Sequence, residues 1–290
     1  MTAFALIRGL AALFSVQRLC RLLGVSASGY YAWLRRPPSH WRCASLRLVT
    51  KMRAVQKETG GVYGSRRMTT ELQEDGEKVG RRHVQRLMRE NGLQARRPRR
   101  FRKTTDSGHA APSAPNLLKQ DFSATAPNRV WVGDITYVWT AEGWCYLATV
   151  IDLYSRRVVG WALADHMRKE LVLLAMKRAL SARQPAPGLI FHSDRGSQYA
   201  SEAFRRLLRN YEVAQSMSRP GDCYDNAPAE SFFATIKKER LHRRHFATRT
   251  EAHDEIHAFI DGFYNPRRRH SSIGNLSPIN FENQTHAQAA

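Results

Sequence analysis

Three carboxylates stand where a charge is costly to keep. Asp134 interrupts the apolar run Trp131-Val132-Gly133-Asp134-Ile135-Thr136-Tyr137-Val138. Asp194 ends Leu189-Ile190-Phe191-His192-Ser193 and is followed by Arg195-Gly196-Ser197. Glu230 lies in Asp225-Asn226-Ala227-Pro228-Ala229-Glu230-Ser231, which reads as the start of a helix, and 35 residues separate it from Asp194. A charge in or at the end of an apolar strand is expensive to bury unless something pairs with it. Three acids with no matching buried base point to a divalent cation as that partner. Hard cations such as Mg²⁺ take carboxylate oxygens and keep several waters. Phosphoryl transfer on DNA commonly uses two such ions ~3.5–4 Å apart, one at the attacking and one at the leaving oxygen. Three acids suffice for this if one of them bridges both ions.

Neighbouring acids must be weighed against these three. Asp152, Asp222, Asp225 and Glu239 could each be argued into the site, but Asp152 falls at the end of a strand, where a surface or turn role is expected. Asp225 is placed to cap the helix that carries Glu230. Glu239, nine residues beyond Glu230, lies about 180° round a regular helix and should face away, whereas Lys237, seven residues on, shares nearly the same face. Lys237 is therefore expected to meet a DNA phosphate, and Asn226 is a further candidate for positioning DNA or a water. His253 and His257 are four apart on a helix, but His253-Asp254-Glu255-Ile256-His257 lacks a Glu at its second position and has no cysteine pair nearby. They are read as surface histidines rather than a zinc site.

The elements that must position the acids follow from pattern. Segments 130–140, 145–153 and 158–164 read as strands, the first two joined by a turn at Ala141-Glu142-Gly143. A helix at 171–180, a short buried strand at 189–191, a helix at 203–210 and a strand at 213–217 come next. A long helix then begins near Asn226. Strands in a meander and then alternating with helices indicate an α/β domain, a mixed sheet covered by helices. An acid within the first strand and one at the end of a neighbouring strand would reach the same sheet edge, and a helix packed across that edge would supply the third. A last helix at 250–263 precedes the basic tail Asn265-Pro266-Arg267-Arg268-Arg269-His270.

The front of the chain is different. The net charge is +21 over 290 residues, but residues 1–120 hold 24 Lys and Arg against 7 Asp and Glu, and the remainder hold 22 against 18. Such asymmetry fits a nucleic-acid-binding front half joined to a near-neutral globular half. Residues 16–23 have helical spacing and stop at Gly24. Ser26 can cap a second helix that ends before Pro37-Pro38, giving either a helix-turn-helix or a plain helical hairpin. A stronger pair follows. One helix opens at Tyr63-Gly64-Ser65-Arg66-Arg67-Met68 and runs to Leu72. A second spans 79–91, with Val84, Leu87 and Met88 on one face and Arg81, Arg82, Arg86 and Arg89 largely off it. Guanidinium groups so placed can meet phosphates or guanine edges. Arg96, Arg97, Arg99, Arg100, Arg102 and Lys103 continue as an arm suited to a phosphate backbone. The expected divisions are an N-terminal helical region at 1–57, a basic helix-turn-helix-like segment at 58–103, a linker at 104–128 rich in Ser, Thr, Ala and Pro, and a catalytic domain at 129–290.

Four cysteines without Cys-x-x-Cys spacing read as reduced thiols of a cytosolic protein. The apolar run near the N-terminus is broken by Arg8 and lacks a small-residue cleavage site, so no signal peptide is expected. No stretch approaches the ~20 apolar residues of a membrane span.

At the three acids the chain resembles the catalytic proteins of a large group of bacterial insertion-sequence transposases, within the Asp-Asp-Glu transposase and retroviral integrase superfamily. The matching stretches are 131–137, 144–161, 192–200, 221–238 and 264–282, residues 63–93 resemble the group's helix-turn-helix segment, and the 35-residue interval is the group's own. The resemblance implies a ribonuclease H-like core, Mg²⁺ or Mn²⁺ at Asp134, Asp194 and Glu230, cleavage at the element's ends, and attack of a DNA 3′-hydroxyl on a target phosphate. In that scheme Asp134 bridges two ions while Asp194 and Glu230 each hold one. The partners implied are double-stranded DNA carrying the terminal repeats and target, other copies of the chain on DNA, and an upstream-encoded DNA-binding protein fused by frameshift. The setting implied is the bacterial cytoplasm, at the nucleoid. Two alternatives stay open: a non-catalytic sequence-specific DNA-binding regulator, and a ribonuclease H-type nuclease that hydrolyses without joining.

Overall fold

A computed structural model describes residues 2–37, 39–95, 114–219 and 223–289. The expected basic arm, Arg96, Arg97, Arg99, Arg100, Arg102 and Lys103, and Asp222 lie outside the described residues. Helices α1 (Ala3–Leu10), α2 (Val16–Leu22) and α3 (Ala27–Arg35) form a small cluster around Ile7, Cys20 and Tyr30. The hydroxyl of Ser26 accepts the Gly29 N–H at 3.0 Å, which is the expected cap on α3. Next comes α4 (His40–Glu58), a 19-residue helix that the patterning did not single out and that starts at a Ser39 cap. Its Leu48, Val49 and Met52 pack against Met68 and Leu72 of α5 (Ser65–Glu74) and against Val84, Leu87 and Met88 of α6 (Arg81–Glu90). The basic helical unit thus draws its core from three helices, and α4 is one of them rather than part of the N-terminal cluster.

The α/β part has the expected mixed sheet. Strands β1 (Val130–Thr140), β2 (Gly143–Asp152) and β3 (Val158–Ala164) form an antiparallel meander. After α7 (Lys169–Arg183), β4 (Ile190–Ser193) pairs parallel to β1. Two helices follow, α8 (Ser197–Ala200) and α9 (Glu202–Asn210), and β5 (Ala214–Met217) then pairs parallel to β4. The strand order is β3-β2-β1-β4-β5. Period-two alternation splits the strands between two cores. Trp131 faces α7, α8 and α9, while Val130, Val132 and Val138 face α10 (Ala227–Glu239) and α11 (Arg249–Phe259). Helix α7 approaches β3 so closely that a Cβ on Gly160 would stand 2.4 Å from the Ala175 carbonyl oxygen.

Residues 265–270 are not a terminal tail. A final helix, α12 (Pro278–Ala289), follows them, and Arg268 and Arg269 are each only 6% exposed. The guanidinium of Arg268 donates to Glu239 at 2.7 and 2.9 Å, and that of Arg269 donates to Glu71 at 2.7 Å and Glu74 at 2.6 Å, both on α5. The Tyr63 hydroxyl donates to the Arg267 carbonyl and accepts the Arg269 N–H, each at 3.1 Å. This strap ties the helical unit to the α/β part. Helix α12 is held by buried Glu282, which accepts from Ser155, Arg157 and Arg183 at 2.7–2.9 Å. Among the described residues no helix is long and apolar enough to cross a membrane, and Cys20, Cys43 and Cys145 form no disulfide.

Candidate active site

The parallel register Gly133↔Ser193 sets Asp134 of β1 beside Asp194, the residue after β4. A Cβ at Gly133 would fall 2.4 Å from the Phe191 ring, so glycine is what lets β4's core aromatic lie against β1 at this point. Alternation turns Asp134 to the face that carries Val132 and Val138, the face covered by α10. Asp134 is half-buried and accepts the Ile135 N–H at 2.7 Å. Asp194 accepts the Gly196 N–H at 3.0 Å. Glu230 is exposed in the first turn of α10.

Asp134 lies within reach of both other charges. Burial pushes the Asp134 carboxyl well above the usual carboxylate range, and the charges of Asp194 and Glu230 push the same way; the Ile135 N–H and Lys237 oppose them. Buried Tyr199 of α8, which sequence reasoning did not flag, is raised by burial and by the charges of Asp134 and Asp194, so its phenol stays protonated beside them. Among the described residues no three His, Cys, Asp or Glu side chains stand close enough to hold one metal ion as they are.

Sequence reading also missed what aims α10. Buried His192 bonds the Ser216 hydroxyl through Nδ1 and the Asp225 carbonyl through Nε2, both at 2.8 Å. Ser216 in turn accepts the Leu117 N–H. One consistent tautomer has Ser216 donating to Nδ1 and Nε2–H donating to Asp225, and burial lowers the ring's pKa and keeps it neutral. The turn leading into α10 is thereby fixed to β4. Asn226 completes the joint, its amide donating to the Gly133 carbonyl at 3.2 Å, while its Oδ1 is buried with no partner.

Two neighbouring acids have roles other than those expected. Asp225 does not cap α10. Its buried carboxylate accepts from Asn116 at 2.9 Å and from the Arg219 N–H at 2.8 Å, partners from a distant segment and from the loop before α10. Asp152 is fully buried rather than at the surface. It accepts the Asn128 and Tyr154 N–H groups at 2.8 and 3.0 Å, with Arg183 at 3.5 Å. Glu239 faces away from the acids toward Arg268, as helix phase requires. Lys237 shares the face of Glu230 but is only 8% exposed. Its ammonium lies 4.5 Å from the Tyr137 ring centroid, and burial lowers its pKa against the pull of Asp134. His253 and His257 are exposed and pair with Asp254 and Asp261.

On α6, Arg81, Arg82 and Arg89 are exposed. Arg86 is half-buried, its guanidinium 4.9 Å from the Trp41 ring centroid and 3.8 Å from Glu90.

Comparison with known proteins bears on both halves. Residues 124–223 and 211–278 match models of an integrase core domain, and residues 44–101 match an HTH-like domain. The chain is 46% identical over 272 residues to the insertion element IS600 uncharacterized 31 kDa protein of Shigella sonnei, covering 94% of this chain and all of that one. It is 40% identical over 278 residues to the transposase InsF for insertion sequence IS3A of Escherichia coli K12, covering 93% and 95%. Among solved structures, the magnesium complex of the HTLV-2 integrase catalytic core domain (dimeric form) aligns at 17% identity and TM-score 0.42, over 55% of this chain and 98% of that one. The BIV integrase catalytic core aligns at 14% and 0.40, over 56% and 98%.

Proposed function

The chain belongs to the insertion-sequence transposases that carry an integrase core domain, and on that premise we propose that Asp134, Asp194 and Glu230 are its catalytic acids and metal ligands. The protein is a polynucleotidyl transferase acting on DNA. What supports the assignment is the setting of Asp134, whose carboxyl is pushed well above its ordinary range by burial and then by the charges of Asp194, after β4, and Glu230, on α10. Such a donor set is all hard oxygen, and the buried Asn226 Oδ1 adds an unused acceptor beside it. Both features suit a hard divalent cation and suit no soft metal.

Held by Asp134, Asp194 and Glu230, Mg²⁺ or Mn²⁺ would supply Lewis acidity at the scissile phosphate. Asp134, whose carboxyl feels the charge of both other acids, would be the ligand held in common. The chain's own groups do the rest. His192 and Asn226 hold the start of α10 against β4 and β1, so that Glu230 is aimed before DNA arrives. Lys237 offers a positive charge beside Asp134, where a strand phosphate approaches the acids. Helix α6 presents Arg81, Arg82 and Arg89 to duplex DNA, with Arg86 partly committed to Trp41, and Arg96, Arg97, Arg99 and Arg100, next in sequence, are further candidates for phosphate contact. An element has two ends, so more than one copy acts on DNA. Fusion by frameshift to an upstream-encoded DNA-binding protein, and residence at the nucleoid of a bacterial cytoplasm, belong to the same proposal.

The test incubates purified protein and Mg²⁺ with a labelled duplex that carries the element's ends. Joined products that require the cation and vanish with Asp194→Asn are expected. Hydrolysis without joining would favour the nuclease reading, and joining that survives Asp194→Asn would remove the acids from the chemistry.

A further inference from the structure

Helix α10 has a second chemical face. Ser231 and Thr235 lie about 100° and 140° round the helix from Glu230, and they line a separate cavity of about 360 Å³. Its other walls come from three distant parts of the chain: Arg67 of α5, Arg156 in the β2–β3 turn, and Arg268 with His270 from the strap. None of the described residues lining it is acidic. Arg268 is paired with Glu239, whose charge also favours the Arg67 cation, but neither Arg67 nor Arg156 makes an ion pair with a carboxylate among the described residues. Arg67 instead lies over the Tyr63 ring at 5.7 Å, half-buried. Arg156 adopts φ +64°, a backbone conformation that disfavours side chains. His270 contributes no compensating charge, because burial and the three guanidiniums push its imidazole down to about 2 and keep it neutral.

Three cations crowded into a partly desolvated cavity beside the one carboxylate of Glu239 are under-compensated and destabilise a protein on its own. The same groups bind a tetrahedral anion well, since guanidinium forks match phosphate oxygens. The pocket joins the helix that packs on arginine-faced α6 to the helix that carries Glu230. We propose that it seats a backbone phosphate of the bound DNA, gripped by Arg67, Arg156 and Arg268, with the Ser231 hydroxyl within the same cavity. The proposal rests on the chain acting on DNA. It gives the catalytic domain its own DNA contact, and that contact forms only when the helical unit is docked.

The experiment measures duplex binding by wild-type, Arg67→Gln, Arg156→Gln and Lys177→Gln proteins across a salt series, with thermal midpoints recorded with and without inorganic phosphate. Lys177 is an exposed residue of α7 and controls for the loss of one charge. The two arginine variants should bind roughly three- to tenfold more weakly and lose about 0.9 from the log–log salt slope, while Lys177→Gln changes neither. Their DNA-free midpoints should equal or exceed that of wild type. A marked fall in midpoint would show that the arginines serve packing and would overturn the assignment. Unchanged slopes in a preparation whose wild-type protein joins DNA would overturn the pocket and leave the transposase reading intact. Stabilisation by inorganic phosphate that the variants lose, with DNA slopes unchanged, would make it a free-anion site and refute the DNA contact. Wild-type protein that neither binds nor joins duplex would fail the transposase reading itself, and this proposal with it.

Discussion

Asp134 shows how far single residues can be read and where reading stops. Its type, its apolar neighbours and its spacing to the other acids are all in the sequence, and so is the helix phase that puts Lys237 with Glu230 and Glu239 opposite. What fixes the remaining acids is distant in the chain. Asp225 is claimed by Asn116, 109 residues away, and Asp152 by Arg183, 31 residues away, so no local pattern could have shown that they are structural. The repulsion around Asp134 has a stability consequence. With no cation bound, Asp134→Asn should raise the thermal midpoint by roughly 2–4 °C, the shift expected for about 1 kcal/mol in a domain of this size, while ending strand joining. A midpoint that falls would show that the carboxylate is stabilising and that the acids do not oppose one another. His270 makes a pH prediction. Its imidazole ordinarily titrates near 6.5 and in the folded protein only at about 2, so between these values the unfolded chain holds a proton that the folded one refuses. Its contribution is complete above pH ~6.5 and declines as pH falls, by up to ~1.4 kcal/mol per pH unit. Denaturant unfolding at pH ~7 and ~5 should show a smaller loss for His270→Gln than for wild type, and equal losses would contradict the assignment.

The elements were legible where periodicity and turn chemistry agree. The meander, its Ala141-Glu142 turn, the α7 crossover and the caps on α3 follow from local residues. Helices α4 and α12 did not stand out, since each draws its partners from elsewhere: α4 its apolar ones from α5 and α6, α12 its polar ones through Glu282 from Ser155, Arg157 and Arg183. The arginine run 265–270 looked like a solvated tail because nothing near it in sequence marks the glutamates of α5 and α10 as its partners. Gly160 is the sharpest test of how α7 seats on the sheet. Gly160→Ala must displace α7 or β3 to relieve contacts of 2.4 and 2.7 Å, and overpacking of this kind costs about 1–3 kcal/mol. Chemical denaturation should show that loss, and an unchanged midpoint would mean that α7 sits farther from β3.

Over the whole molecule, the charge asymmetry separates a basic helical front half from a near-neutral α/β half but does not reveal that the halves are bolted together. Arg269, with Glu71 and Glu74, and Tyr63, with the Arg267 carbonyl and the Arg269 N–H, fasten the helical unit to the sheet and its helices. Arg269→Ala should leave duplex binding by α6 largely intact yet lower joining more than binding, because the bound end is no longer held in register with the acids. Equal losses in both assays would show that the strap serves stability alone. If Asp134, Asp194 and Glu230 form one site, the yield of joined DNA from Glu230→Gln protein in Mg²⁺ must fall, with duplex binding measured in the same samples. Glu230 is exposed, so the substitution should spare the fold. Binding should stay at the wild-type level while joining falls by at least ~100-fold; joining within tenfold of wild type would contradict the account.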